Sequence, residues 1–251
     1  MKTIRTIVLT SAMAAFLAAC GGGISAPPVA VAPPPPPAPE PEPEPVMRVF
    51  EVSVVNLTAG QPFSPIAVVS HEAGYSAFDI GQPASEGLEI LAEGGDNATF
   101  IEEAQADETV LMTVSGDGPL GPGATGSFML ELEDSVAASA YVSAVTMLVN
   151  TNDAITGLRS VEIGSLEVGD RRQMTTISYD AGTELNSELA GTIPGPADGG
   201  EGLNTDRDDL DDIVRVHSGV LTVDDGLAES VLTEVHRWDN PVARVTVSRV
   251  E

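Results

Sequence analysis

Hydrophobic and polar positions alternate along much of this chain with a period of two, which belongs to strands rather than helices. Phe50, Val52 and Val54 alternate with Glu51 and Ser53, giving one apolar and one polar face. Phe128, Leu130 and Leu132 alternate with Met129, Glu131 and Glu133 in the same way. Residues 141–149 are apolar on both faces, the pattern of a central strand covered on both sides. Further strands are expected at 66–70, 109–115, 159–168, 172–179, 213–217 and 242–250. Two short helices interrupt them. Ser85 is placed to cap the first, which carries Leu88, Leu91 and Ala92 and stops at Gly94 and Gly95. Asn97 is placed to cap the second, which carries Phe100, Ile101 and Ala104, because short polar side chains satisfy the open N–H groups of a first turn. Residues 116–126, rich in Gly and Pro, read as a loop. Many short strands with such punctuation imply an all-β antiparallel β-sandwich, with the two helices in an insertion.

The first residues have a different pattern. Lys2 and Arg5 precede an apolar stretch at 7–19, and Leu17, Ala18 and Ala19 lead into Cys20. That is the layout of a secretory signal, and its apolar run is short of the ~20 residues a spanning helix needs. The ending resembles the lipobox of bacterial lipoproteins, in which Cys20 is lipidated and becomes the mature N-terminus; the alternative is an ordinary cleaved signal. Gly21 follows Cys20, and the absence of an acidic residue there implies the outer membrane. Cys20 is the chain's only cysteine, so the mature chain has no disulfide and relies on core packing, with a metal as the other available staple. Residues 27–45 are dominated by Pro, Ala and alternating Pro-Glu. Proline fixes φ and removes donors, so this stretch is expected to be an extended spacer spanning on the order of 60 Å. The domain organisation is therefore a signal at 1–19, a lipidated Cys20 and spacer over 20–46, and one domain over 47–251, long enough for a sizeable core.

Charge narrows the partners. The chain has 11 Lys and Arg against 38 Asp and Glu. Loss of Lys2 and Arg5 with the signal leaves nine arginines, no lysine and a net charge of −29. Nucleic acid is excluded, since affinity there comes from neutralising phosphates. Anionic lipid headgroups are repelled unless divalent cations bridge them.

Two acidic segments carry the candidate chemistry. One is Met147-Leu-Val-Asn-Thr-Asn-Asp-Ala154 and the other Tyr179-Asp-Ala-Gly-Thr-Glu184. Each follows a strand-like run and places carboxylates on a loop. If the fold joins those loops, Asp153, Asp180 and Glu184 form a cage of hard oxygens, which suits Ca2+ with its six to eight oxygen ligands. Two carboxylates held about 4–5 Å apart repel by roughly 3–4 kcal/mol at an effective dielectric near 20. They therefore share a proton or bind a cation. In so acidic a chain, a solvated turn is the competing interpretation of the same spacing.

A resemblance adds to this. Residues 49–250 look like the spondin N-terminal domain family. The matching blocks are Phe50-Glu-Val-Ser-Val-Val-Asn-Leu-Thr58, Gly60-Gln-Pro-Phe-Ser-Pro65, Gly81-Gln-Pro-Ala-Ser-Glu86, residues 147–158, 179–184, Val216-His-Ser-Gly219 and Asn240-Pro-Val-Ala-Arg-Val-Thr-Val247. The resemblance implies a C2-like β-sandwich that holds calcium in loops at one end, with Asp153, Asp180 and Glu184 as ligands. Animal members often have Asp where Glu184 stands, and they carry cysteines absent here.

Other clusters are weaker. Residues 206–212 are rich in Asp, but lack the glycine and terminal Glu of a calcium loop. His71, His217 and His236 show no spacing that pairs them on zinc. Trp238 with Tyr75 and Tyr141 could stack on a sugar or belong to the core. No nucleophile elbow, phosphate loop or His-Glu-x-x-His motif occurs. The expectation is a lipid-anchored, calcium-binding adhesion or interaction module of the cell envelope, facing the periplasm or the outside, with a protein or glycan ligand and no catalysis. Calcium-dependent carbohydrate binding and a metal-dependent hydrolase are the alternatives.

Overall fold

A computed structural model describes residues 44–204, 206 and 212–251. The signal, Cys20 and most of the spacer lie outside them, as do residues 207–211 of the 206–212 acidic run. Among the described residues, ten strands form two antiparallel sheets. They are β1 (Met47–Asn56), β2 (Ala67–His71), β3 (Val110–Ser115), β4 (Thr125–Glu133), β5 (Tyr141–Met147), β6 (Ala154–Glu162), β7 (Arg171–Thr176), β8 (Ser178–Asp180), β9 (Arg215–Val216) and β10 (Ala243–Arg249). One sheet runs β4-β1-β10-β7 and the other β3-β2-β5-β6-β8-β9. The all-β sandwich expected from the alternation is the architecture found.

The alternating strands make the core between the sheets. Phe50, Val52 and Val54 of β1, with Leu130 and Leu132 of β4, are buried against Val68 of β2 and Val142 and Ala144 of β5. Burying such a side chain contributes about 1.5–3 kcal/mol. β5 is apolar on both faces because a second layer covers the six-stranded sheet. Helices α1 (Glu86–Gly94) and α2 (Ala98–Ala106), inserted between β2 and β3, place Leu88, Leu91, Phe100 and Ala104 against Val69, Val145, Met147 and Ile155. Among the described residues, no helix is long and apolar enough to cross a membrane.

Three details differ from the pattern. The run expected as one strand at 172–179 is two: β7 pairs with β10 in one sheet, and β8 pairs with β6 in the other, so the chain changes sheets at Ile177. The strand expected at 159–168 is displaced to Ala154–Glu162, because Ile163 and Leu166 enter the core from a turn. A third helix, α3 (Asp134–Ala137), was not anticipated. Ser85 caps α1 as expected, accepting from Leu88 N at 3.2 Å. Asn97 begins α2 without capping it: its amide donates to Pro65 O at 2.9 Å and its carbonyl accepts from Ser115 Oγ at 3.0 Å. Asp96 Oδ1 takes the Ala98 N–H instead, at 2.9 Å.

Candidate metal centre

Strand pairing itself brings the two acidic segments together. Ala154 opens β6 and lies opposite Asp180, which closes β8. Asp153 and Asp180 therefore emerge at the same end of the sheet, and Ala181 N donates to Asp153 O at 3.2 Å. The loop after β8 then folds back over Asp153. Gly182 makes that possible: its φ is +75° and a Cβ there would stand 2.3 Å from Ile213 O, so both the left-handed conformation and the close approach demand glycine.

All three acids are buried, at 0 % exposure for Asp153, 3 % for Asp180 and 1 % for Glu184. Their surroundings differ. Asp153 Oδ2 accepts from Thr183 N at 2.9 Å and Glu184 N at 3.3 Å. Its other oxygen, Oδ1, is buried with no hydrogen-bond partner, and the hydroxyl of Thr183 is in the same position. Burial, and then the charge of Asp180, push the Asp153 pKa up against the pull of the loop N–H groups. Asp180 is better supplied: Oδ1 accepts from Gly182 N at 2.9 Å, Oδ2 from Asn186 Nδ2 at 2.6 Å, and Arg215 Nε stands 3.4 Å from Oδ2. Glu184 Oε1 accepts from Asn152 Nδ2 at 2.7 Å. Asn152 also donates to Thr192 and accepts from Glu188 N at 3.2 Å, which ties the next loop to the site.

The donor set suits a hard divalent cation: oxygens only, buried, with an unpartnered carboxylate oxygen and an unpartnered hydroxyl adjoining one loop. Among the described residues, no group of three Asp, Glu, His or Cys side chains is gathered closely enough to hold an ion unaided. Backbone carbonyls and water must therefore supply much of any calcium shell. Sequence reasoning passed over Thr183, Asn152, Asn186 and Arg215. Asn152 and Thr183 both stand within the two acidic segments, but a bridging amide and an orphaned hydroxyl have no sequence signature.

The histidines do not assemble a zinc site. His71, on β2, contacts Ser143 Oγ at 2.9 Å and lies against Tyr75 and Tyr141. His236 Nδ1 accepts from Thr233 N at 3.0 Å, a capping contact. His217 is buried beside Trp238, with ring centroids 5.2 Å apart. Its Nδ1 accepts from Gly219 N at 2.9 Å, so in the neutral ring Nε2 carries the proton and cannot ligate a metal. Desolvation lowers its pKa, opposed by Asp180 and reinforced by Arg215. Trp238 is half-buried, packs on the sandwich core and donates to Ser178 Oγ at 2.9 Å.

Fold and site thus define a β-sandwich whose loop-bearing end gathers buried acids from two neighbouring strands. The family model described as Spondin_N matches residues 56–189, more than half of the chain and both acidic segments. The chain belongs to the spondin N-terminal domain family. No curated protein matches it. Membership points to an extracellular interaction module.

Proposed function

We propose that the domain is a calcium-stabilised interaction module, held at the cell envelope by lipid on Cys20 and spaced from it by the proline-rich segment. The observation that carries the calcium reading is the buried, unpartnered Oδ1 of Asp153 beside Asp180. A carboxylate oxygen without a donor is costly to bury, and a bound divalent cation would supply the missing positive charge. Asp153 and Asp180 would hold the ion with Glu184. Thr183 and Asn152 fix the loop that closes over it, so the end loops present one surface.

Two features support binding rather than catalysis. No nucleophile motif is present, and His217 has its Nδ1 lone pair occupied by a backbone N–H, which denies the site a free histidine base. The ligand of the module is a protein or glycan of the envelope or its surroundings; nucleic acid is disfavoured by charge.

Thermal melting of the full chain in calcium against EDTA tests the proposal. At calcium about 100-fold above its Kd the native state gains roughly 2.7 kcal/mol, which for a domain of this size raises Tm by about 5–10 °C. Asp180→Asn should remove most of that rise. An equal midpoint with and without calcium overturns the calcium reading and leaves the family assignment standing. Labelled palmitate entering wild type but not Cys20→Ala tests the anchor separately.

A further inference from the structure

A second concentration of acids lies between the helical insertion and the loop before it, residues 75–85, which is hydrogen-bonded to Val214 through Gly81 and Gln82. A cavity of about 250 Å3 opens there, walled by Tyr75, Phe78 and Phe100 and edged by Asp79, Glu103 and Asp107. Its floor is apolar: Phe78, Leu88 and Phe100 are buried. Aromatic walls with carboxylates at the rim and no basic side chain in the lining make a site with one preferred sign of charge.

The acids are not equivalent. Glu103 is committed to the start of α1, where Oε2 accepts from Ser85 Oγ at 2.6 Å and Oε1 from Gly87 N at 2.8 Å. That carboxylate occupies the place an anion would take at the α1 N-terminus, so the cavity is closed to anionic ligands. Asp107 uses Oδ1 for the Thr109 N–H and hydroxyl, at 2.8 and 2.6 Å. Asp79 sits exposed in the turn before Gln82. Among the described residues, none of the three has an arginine or histidine ion-pair partner. The charges of Asp107 and Glu103 both act on the Tyr75 hydroxyl, whose pKa burial already raises. His71 has its ring centroid 4.9 Å from that of Tyr75; desolvation lowers its pKa, opposed by the Glu72 backbone contact and the charge of Asp107.

We propose that this cavity binds an organic ammonium group: an alkylammonium whose carbons contact Tyr75, Phe78 and Phe100 while its charge faces Asp79 and Asp107. Aromatic rings attract a cation through their quadrupole, and a compact space of this volume suits a short alkyl stem rather than a drug-sized molecule. A lysine side chain of a partner protein and a free small amine share this chemistry. The chain's own single lysine is Lys2, in the expected signal.

The test is an NMR titration of the full-length protein in EDTA, which keeps it independent of calcium. n-Butylammonium should give saturable shifts at the amides of Ala77, Phe78 and Gly87, with Kd on the order of 1 mM, whereas 1-butanol, of equal length and no charge, should not. Asp79→Asn with Asp107→Asn should weaken the binding about five- to tenfold. Glu103 is left in place, so the α1 cap persists, and unchanged shifts elsewhere and an unchanged Tm report an intact fold. N-acetyl-lysine amide binding as well as n-butylammonium assigns the site to a partner's lysine; tighter binding of the free amine assigns it to a small amine. Equal shifts with 1-butanol, no saturation at ~10 mM n-butylammonium, or undiminished affinity in the double variant would each overturn the proposal.

Discussion

The loop end and the helical cavity both gather carboxylates, and they gather them in opposite ways. At the loop end the acids are taken out of water and given backbone N–H donors, with Asp153 left one oxygen short. At the cavity Asp79 and Asp107 stay exposed while the apolar wall beside them is buried. A desolvated carboxylate demands a compact, strongly hydrated ion that can replace water at ~2.3–2.6 Å. An exposed carboxylate above an aromatic wall offers only long-range attraction and suits a cation with apolar surface of its own. In a chain with 38 acidic residues, charge count singles out neither place. Desolvation and donor supply do.

The largest effect that should separate the acids lies within the loop end. Asp180→Ala strands Gly182 N, Asn186 Nδ2 and the partly exposed Arg215, and in EDTA should cost about 2–3 kcal/mol in urea denaturation. Asp153→Asn retains an acceptor for Thr183 N and replaces the unpartnered oxygen with an amide donor beside Asp180. In EDTA it should therefore be neutral or stabilising, while abolishing the calcium response. Equal losses in the two variants would break the distinction between a paired and an unpaired acid.

A smaller effect is expected at the cavity. Glu103→Ala removes both contacts to the α1 start and should cost about 1 kcal/mol, as lost helix caps do, with the calcium response intact. Since α1 and α2 cover one face of β5, hydrogen exchange should show faster opening of residues 86–94 and little change in β1 or β4. If calcium dependence fell along with stability, the two acidic regions would be one coupled system.

The strands were legible because a half-buried sheet imposes period two on its residues. Phe50, Val52 and Val54 could only be one face of a strand, and the two-sided run at 141–149 signalled a sheet covered on both sides. Boundaries failed where apolar residues served turns, as Ile163 and Leu166 do, and where β7 and β8 belong to different sheets without a break in composition. The candidate site was legible in its acids, since Asp153 and Asp180 sit at strand ends that pair. Its electrostatics were not: the partner of Asp180 is Arg215, 35 residues on, and nothing local marks Asp153 Oδ1 as unpartnered. The cavity was missed for the same reason, because Asp79 and Asp107 meet only through the helical insertion that separates them.

Glu188 supplies the finest division of the comparison, being buried like Asp153 yet without an ion-pair partner among the described residues. It is 2 % exposed, and its Oε1 accepts from a backbone N–H, that of Leu221 at 3.2 Å. Burial raises its pKa, with the Leu221 N–H pulling the other way. A carboxyl whose folded pKa lies above the unfolded value of 4.5 binds its proton more tightly in the native state. Its contribution is therefore fully present below pH 4.5 and is lost as pH rises through the folded value. Glu188→Gln holds the neutral form at every pH and keeps an acceptor for Leu221. In EDTA the variant should match wild type near pH 3 and gain on it as pH rises to 8. Urea denaturation at the two pH values measures the difference directly. A variant weaker than wild type at pH 8 would place Glu188 with Asp180, as an acid whose charge the fold uses, and would make burial alone a poor guide to which of these carboxylates awaits a cation.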